Sequence, residues 1–276
     1  MTLSERNTFF KAGIIFCSVC TLLLLAASFF TIPEYSKMEE NPRRPAGIFQ
    51  FLTGLFLGND YYAVHSSLIL LVLFSLAGII LILYFFERTS APEILYIAFF
   101  TISLSFELIR LILPLYLIFS FPIIYVKAAS QVLLFARYFG IFSLFAASIC
   151  AAGLDVQKTR NVIFVIFIAA LLIVFGVPVD ILNWDTSLNM VNGYSSLFRM
   201  IELTAYLITM ISFLIAAKIK DSKEYNYVAI GIILALFGRN ILLSADNWIS
   251  PVSGILLLSF GTWFLCSKLH KIHLWL

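Results

Sequence analysis

The stretch ILYIAFFTISLSFELIRLILPLYLIFS, residues 94–120, decides how the rest of the chain is read. Its apolar side chains fall on every side of a helix rather than in one stripe. A helix of this length reaches about 40 Å, against a bilayer hydrocarbon core of about 30 Å. Apolarity all round, sustained over such a length, means that lipid and not water is the solvent. Yet Glu107 and Arg110 stand near its middle, where one charge costs about 2.5–3.5 kcal/mol on insertion scales. The sequence must compensate for that cost.

The remainder of the chain has the same character. Of 276 residues 62% are hydrophobic and 12% charged, and Phe alone occurs 28 times. A soluble domain carries about twice that charged fraction. Mean hydropathy is +1.01. The expected fold class is therefore all-α: a polytopic membrane bundle of about eight transmembrane helices. The net charge of +3 is small, and its densest basic cluster, Lys218, Lys220 and Lys223, is interleaved with Asp221 and Glu224. Such a cluster sets topology or touches anionic lipid head groups. Membrane lipids are expected partners, and nucleic acid is not.

Apolar runs place the spans at roughly 9–32, 63–86, 94–120, 124–152, 161–182, 196–217, 226–247 and 250–269. Residues 1–276 thus form a single integral membrane domain, with no segment left for a separate soluble output module. Pro33 and Pro92 stand near span edges, Ser250-Pro251 opens the last span, and Pro114 and Pro178 lie inside spans as expected kinks. With the N-terminus cytoplasmic, ten Lys and Arg fall in inner segments and four in outer ones. That bias is the positive-inside pattern, with both termini cytoplasmic in the inner or plasma membrane. Trp184 and Trp248 then lie at outer span ends, where interfacial aromatics collect. A rival reading takes the first span as a signal peptide cleaved near Ser28, leaving seven spans; its long apolar run favours a retained helix. The outer segment 33–62 begins polar and continues as AGIFQFLTGLFLGN, too short to span. It is read as an interfacial or re-entrant helix.

Six charges remain inside spans: Glu107, Arg110, Arg137, Arg199, Glu202 and Arg239. In this layout the four arginines occupy one band in the outer half, on four different helices. Ser103, Glu107, Arg110 and Pro114 share a helical face, as do Arg199, Glu202, Tyr206 and Thr209, and each Glu is three residues from an Arg. On the fourth span Arg137, Gly140, Ala147 and Ala151 form a polar-plus-small stripe that allows close helix approach. Four Arg against two Glu leave a surplus of two positive charges, with Asp246, seven residues beyond Arg239, as a further counter-charge. Arginine without lysine suits bidentate binding of an oxyanion, whether a carboxylate, a phosphate or a lipid head group. The six residues are therefore the candidate ligand-binding set. Buried Arg–Glu pairs acting as interhelical clips are the competing explanation.

Other chemistry is weakly signalled. Cys17 and Cys20 form C-x-x-C within the first span, where they read as packing residues. His270 and His273 lie three apart near the C-terminus, and His65 opens the second span beside Ser66 and Ser67, where it is a candidate general base. No nucleotide-binding loop, zinc-protease or serine-hydrolase motif occurs, so no catalytic residue, metal or cofactor is assigned. The expected function is binding of an anionic solute or lipid for transport or sensing. An intramembrane enzyme acting on a lipid phosphate or prenyl carrier is second, and a structural subunit docking a partner membrane protein is third.

Overall fold

Proline positions and glycine contacts explain much of the architecture in the computed structural model, which describes residues 3–38, 60–89, 91–153, 159–185 and 187–274. The helices are α1 (Leu3–Met38), α2 (Tyr61–Phe86), α3 (Glu93–Ser103), a 3₁₀ helix (Leu104–Leu111), α4 (Ile112–Phe119), α5 (Ile123–Ala151), α6 (Thr159–Gly176), α7 (Ser195–Ile219), α8 (Glu224–Leu243) and α9 (Ile249–Leu274). The segment from Glu93 to Phe119 counts as one unit, so among the described residues eight helical units are long and apolar enough to cross a membrane. Their outer surface is apolar to match: Phe29, Tyr84, Leu172, Phe175, Phe237 and Trp263 are all exposed. In water such a surface would drive aggregation. The helices support a multi-pass membrane protein.

Serine and threonine inside the spans do not violate this solvent. Thr21, Ser28, Thr101, Ser143, Thr209 and Thr262 each donate to the carbonyl four residues earlier. The hydroxyl is thereby satisfied within its own helix.

Two expectations from the sequence need correction. The fifth span was expected over 161–182, but α6 stops at Gly176 and residues Val179–Trp184 form a strand, β1. Pro178 is the physical cause: it has no N–H to give, and it pushes the residue before it out of helical conformation. It ends the helix rather than kinking it. β1 pairs antiparallel with β2 (Met190–Asn192), with Val179 opposite Asn192 and Trp184 opposite Met190. The bundle thus carries a short β-hairpin between α6 and α7, which an all-α reading omitted. Second, α1 continues past Pro33 to Met38, so the loop expected from residue 33 begins later. The apolar segment read as a re-entrant helix lies within 39–59, outside the described residues.

The eight described helical units run back and forth, so Leu3 and Leu274 lie at the same end of the bundle and the hairpin at the opposite end. At the terminal end, Arg6 caps α2 by donating to the carbonyls of Phe86 at 2.6 Å and Thr89 at 2.5 Å. Its guanidinium also lies over the Phe10 ring, 5.4 Å from the centroid. The last carbonyls of a helix have no partner within it, so a cation there is favoured by both hydrogen bonding and the helix dipole. At the hairpin end, Asp60 caps α2 by accepting from the Tyr62 N–H at 2.7 Å, and it also accepts from Trp248 Nε1 at 2.6 Å. The Trp248 indole, expected as a free interfacial aromatic, is a tie between the start of α2 and the start of α9.

α8 and α9 form the most closely packed pair of helices. Gly231 faces Gly261, and Gly238 faces Gly254, two glycine pairs seven residues apart on antiparallel helices. A Cβ on Gly238 would meet the Gly254 carbonyl oxygen at 2.7 Å, and one on Gly231 would meet the Gly261 oxygen at 3.0 Å. Backbone is the obstruction in both cases, and it cannot rotate away. We expect Gly238→Ala to lower stability despite the roughly 1 kcal/mol that Ala gains in helix propensity, because overpacking costs about 1–3 kcal/mol. Thermal unfolding in detergent should show a reduced midpoint; an unchanged or raised midpoint would contradict backbone-to-backbone contact between these helices.

Candidate functional site

The site begins with the winding of the third span. Pro114 cannot donate to the carbonyl of Arg110, and its ring crowds that carbonyl. The preceding eight residues, Leu104–Leu111, are wound as a 3₁₀ helix. In that winding residues three apart eclipse one another, so Glu107 and Arg110 project directly one above the other. The sequence expected ordinary α-helical steps of four, three and four from Ser103 to Pro114. The tighter winding strengthens one of those steps and alters the rest.

The counter-ion arrives from α5. Gly140 passes Ser103 so closely that a Cβ there would come within 3.1 Å of the serine Cβ. This approach puts Arg137, one turn away on α5, against Glu107 on the 3₁₀ segment of the third span. Arg137 Nε donates to Glu107 Oε1 at 2.7 Å and Nη2 to Oε2 at 2.6 Å. That is the bidentate geometry in which arginine binds carboxylates most strongly. Arg110 Nη1 stands 3.8 Å from Glu107 Oε2, at ion-pair distance but beyond hydrogen-bond reach. Glu107 is thus committed to the interhelical partner more than to the neighbour three residues along.

Arg110 is the unusual member. Its side chain is 0% exposed. Nη2 donates to the backbone carbonyl of Ser187 at the hairpin tip. Nε and Nη1 have no hydrogen-bond partner among the described residues. Leaving a buried charged donor unsatisfied costs at least about 1–3 kcal/mol.

The hairpin tip reaches the cluster at three points. Besides the Ser187 carbonyl on Arg110, Asn189 Oδ1 accepts from Arg137 Nη2 at 2.8 Å, and Ser187 Oγ donates to Asp246 Oδ1 at 2.9 Å. These residues were missed from sequence because they lie in a loop 50 to 80 residues away from the arginines they touch. No local pattern marks such a contact.

The remaining candidates divide. Arg239 on α8 is buried; its Nη1 donates to Tyr206 Oη at 2.9 Å, and Tyr206 donates to Asn240 Oδ1 at 3.1 Å. Its charge acts on Glu107. Glu202 on α7 is half-buried and contributes to the field at Arg137. Arg199 is exposed on α7, and the structure does not bring it into the cluster or into an ion pair with Glu202. Asp246 does not share a helix face with Arg239, since α8 ends at Leu243. It acts instead on Arg110, from beyond the helix end. Among the described buried and half-buried residues the charges of Arg110, Arg137 and Arg239 are balanced by Glu107, Glu202 and Asp246. The surplus of two counted from sequence is therefore not what distinguishes the site; the orphaned donors of Arg110 are.

His65 does not have the geometry of a general base acting on a nearby serine. Ser28 donates to the Leu24 carbonyl at 2.6 Å, so its oxygen accepts from His65 Nε2 at 2.9 Å. Nδ1 then accepts from Tyr35 Oη at 3.2 Å. Imidazole, serine and tyrosine are buried and bolt α1 to α2. The four cysteines are free, and the described residues contain no group of three metal-binding side chains.

Comparison with known proteins adds little beyond this geometry. No family model matches the chain, and no solved structure matches it. It is similar to an uncharacterized protein of Treponema pallidum (strain Nichols), 26% identical over 193 residues that cover 63% of this chain and 56% of the relative. The match thus spans little more than half of that protein's length. It gives no activity to transfer.

The Glu107–Arg137 pair should behave as a unit. Arg137→Gln or Glu107→Gln alone leaves a buried charge uncompensated and should destabilise by about 3–5 kcal/mol. The double substitution should cost less than the two singles together. A double-mutant cycle in detergent measures this; additive losses would show that the two side chains do not couple.

Proposed function

We propose that this chain is a multi-pass membrane protein whose arginine cluster, at the hairpin end of the bundle, binds an oxyanion: a carboxylate, a phosphate or a lipid head group. The single observation that carries the reading is Arg110, fully buried with Nε and Nη1 unpartnered among the described residues. A guanidinium offers paired N–H donors to one planar acceptor, and the unpartnered Nε and Nη1 each form such a pair with Nη2, the nitrogen that the Ser187 carbonyl now occupies. Arg137 is fixed by Glu107, so it supplies position and field rather than free donors. Arg239, held by Tyr206, adds a second buried positive charge. In this proposal the hairpin end faces the exterior and both termini face the cytoplasm, as the distribution of basic residues suggests. Transport or sensing of the bound anion is the role proposed, with no residue assigned to catalysis.

Native mass spectrometry of the detergent-purified protein tests the reading, with phosphate and phosphatidylglycerol as probes. Wild type should retain an anionic species or one of the two probes. Arg110→Lys, which keeps the charge and loses the fork, should bind at least about tenfold more weakly. If wild type and Arg110→Lys are equally bare and the variant only unfolds earlier, the arginines are internal clips and the binding role is wrong.

A further inference from the structure

Resting on the oxyanion reading above, we infer that the tip of the β1–β2 hairpin, Asp185 with Ser187–Asn189, is a built-in occupant of the site, and that an oxyanion enters as this tip withdraws. The tip hydrogen-bonds two buried cations through neutral oxygen acceptors, while the exposed Asp185 carboxylate acts on both through its charge alone. Ser187 gives its backbone carbonyl to Arg110, and Asn189 gives its side-chain amide oxygen to Arg137 at 2.8 Å. The Asn189 amide nitrogen donates in turn to the Ser187 carbonyl at 3.4 Å, so the two acceptors form one small polar group between the two guanidinium groups. A charged oxyanion makes stronger hydrogen bonds to arginine than an amide or a carbonyl does. In direct hydrogen bonding to the two guanidinium groups, the tip is the weaker of two competing ligands.

The tip is also held in a way that allows release. Leu188 adopts φ 58°, a left-handed conformation that costs a side chain with a Cβ about 1–2 kcal/mol. It is kept there by burial in an apolar cluster with Tyr35, Val64, Leu113, Val126 and Met190. Polar closure comes from bonds within the turn, Asp185 N–H to the Asn189 carbonyl and Asn189 N–H to Asp185 Oδ1, both 2.9 Å, and Leu188 N–H to the Asp185 carbonyl at 3.1 Å, and from Ser187 Oγ to Asp246. The turn bonds travel with the tip. Among the described residues, the Ser187–Asp246 bond, the two arginine contacts, the charge of Asp185 and the Leu188 side chain anchor it to the bundle.

The test uses the full chain with Cys17, Cys20, Cys150 and Cys266 replaced by Ala, and adds Leu188→Cys. Labelling of position 188 by a bulky maleimide is followed alone, with sodium phosphate, with phosphatidylglycerol, and with sodium chloride at matched ionic strength. Retention of each probe is read on the same samples by native mass spectrometry. A retained oxyanion should speed labelling by at least about fivefold, as the withdrawn state becomes populated. Asn189→Ala, which removes one of the competing acceptors, should bind the same probe about tenfold more tightly, since each competing contact lowers the fraction of sites open to ligand. Retention of a probe with no change in labelling, an equal response to sodium chloride, or weaker binding by Asn189→Ala would overturn the role of the tip and leave the oxyanion site standing. Failure of both wild type and Asn189→Ala to retain any probe would overturn the site and the tip together.

Discussion

The rest of the structure depends on one interaction, the two-pronged contact between Glu107 and Arg137. A carboxylate without a partner at this depth would be protonated or would force its helix toward water. Paired with Arg137 at 2.6 and 2.7 Å, it fixes the register of α5 against the third span. It also draws the carboxylate toward α5 and leaves Arg110 3.8 Å from it, beyond hydrogen-bond reach. The same contact therefore bears on both the stability of the arrangement and the unpartnered donors of its neighbour.

Small side chains make that contact possible. Gly140 allows α5 to lie against Ser103, and the glycine pairs of α8 and α9 draw those helices together at the far side of the cluster. Between these tight seams the arginines of α5 and α8 and the 3₁₀ segment face a common interior. Lipid gives no hydrophobic drive for helices to associate, so close backbone approach and polar contact must supply it. Both are concentrated around this site.

Much of the architecture was legible in the sequence because lipid imposes a simple rule on composition. Runs of about 20 apolar residues read directly as spans, and the boundaries at Phe86, Ala151 and Ile219 fall within a few residues of expectation. Glu107, Arg110 and Arg137 stood out because charge inside such runs has a cost that a folded chain must offset. Arg199 stood out for the same reason, yet it is exposed: depth along a helix was readable, but rotation about it was not. Pro178 was visible as a breaker, whereas the strand after it was not, since apolar residues at the end of a span look alike in either conformation. The seven-residue glycine spacing on α8 and α9 was present in the sequence and would have paired these helices. The contacts of Ser187 and Asn189 had no such signal, because they join residues far apart in the chain.

The 3₁₀ winding of Leu104–Leu111 has a mechanical meaning for the whole third span. Relative to an α-helix it adds about 0.5 Å of rise and about 20° of turn at each residue. Over its eight residues this makes the span about 4 Å longer and advances α4 by about 160° around the axis. The segment is thus a screw. Were it to rewind as α-helix, α4 would be drawn inward and nearly half a revolution would pass to Leu113 and Pro114, bringing their lipid-facing neighbours into the bundle.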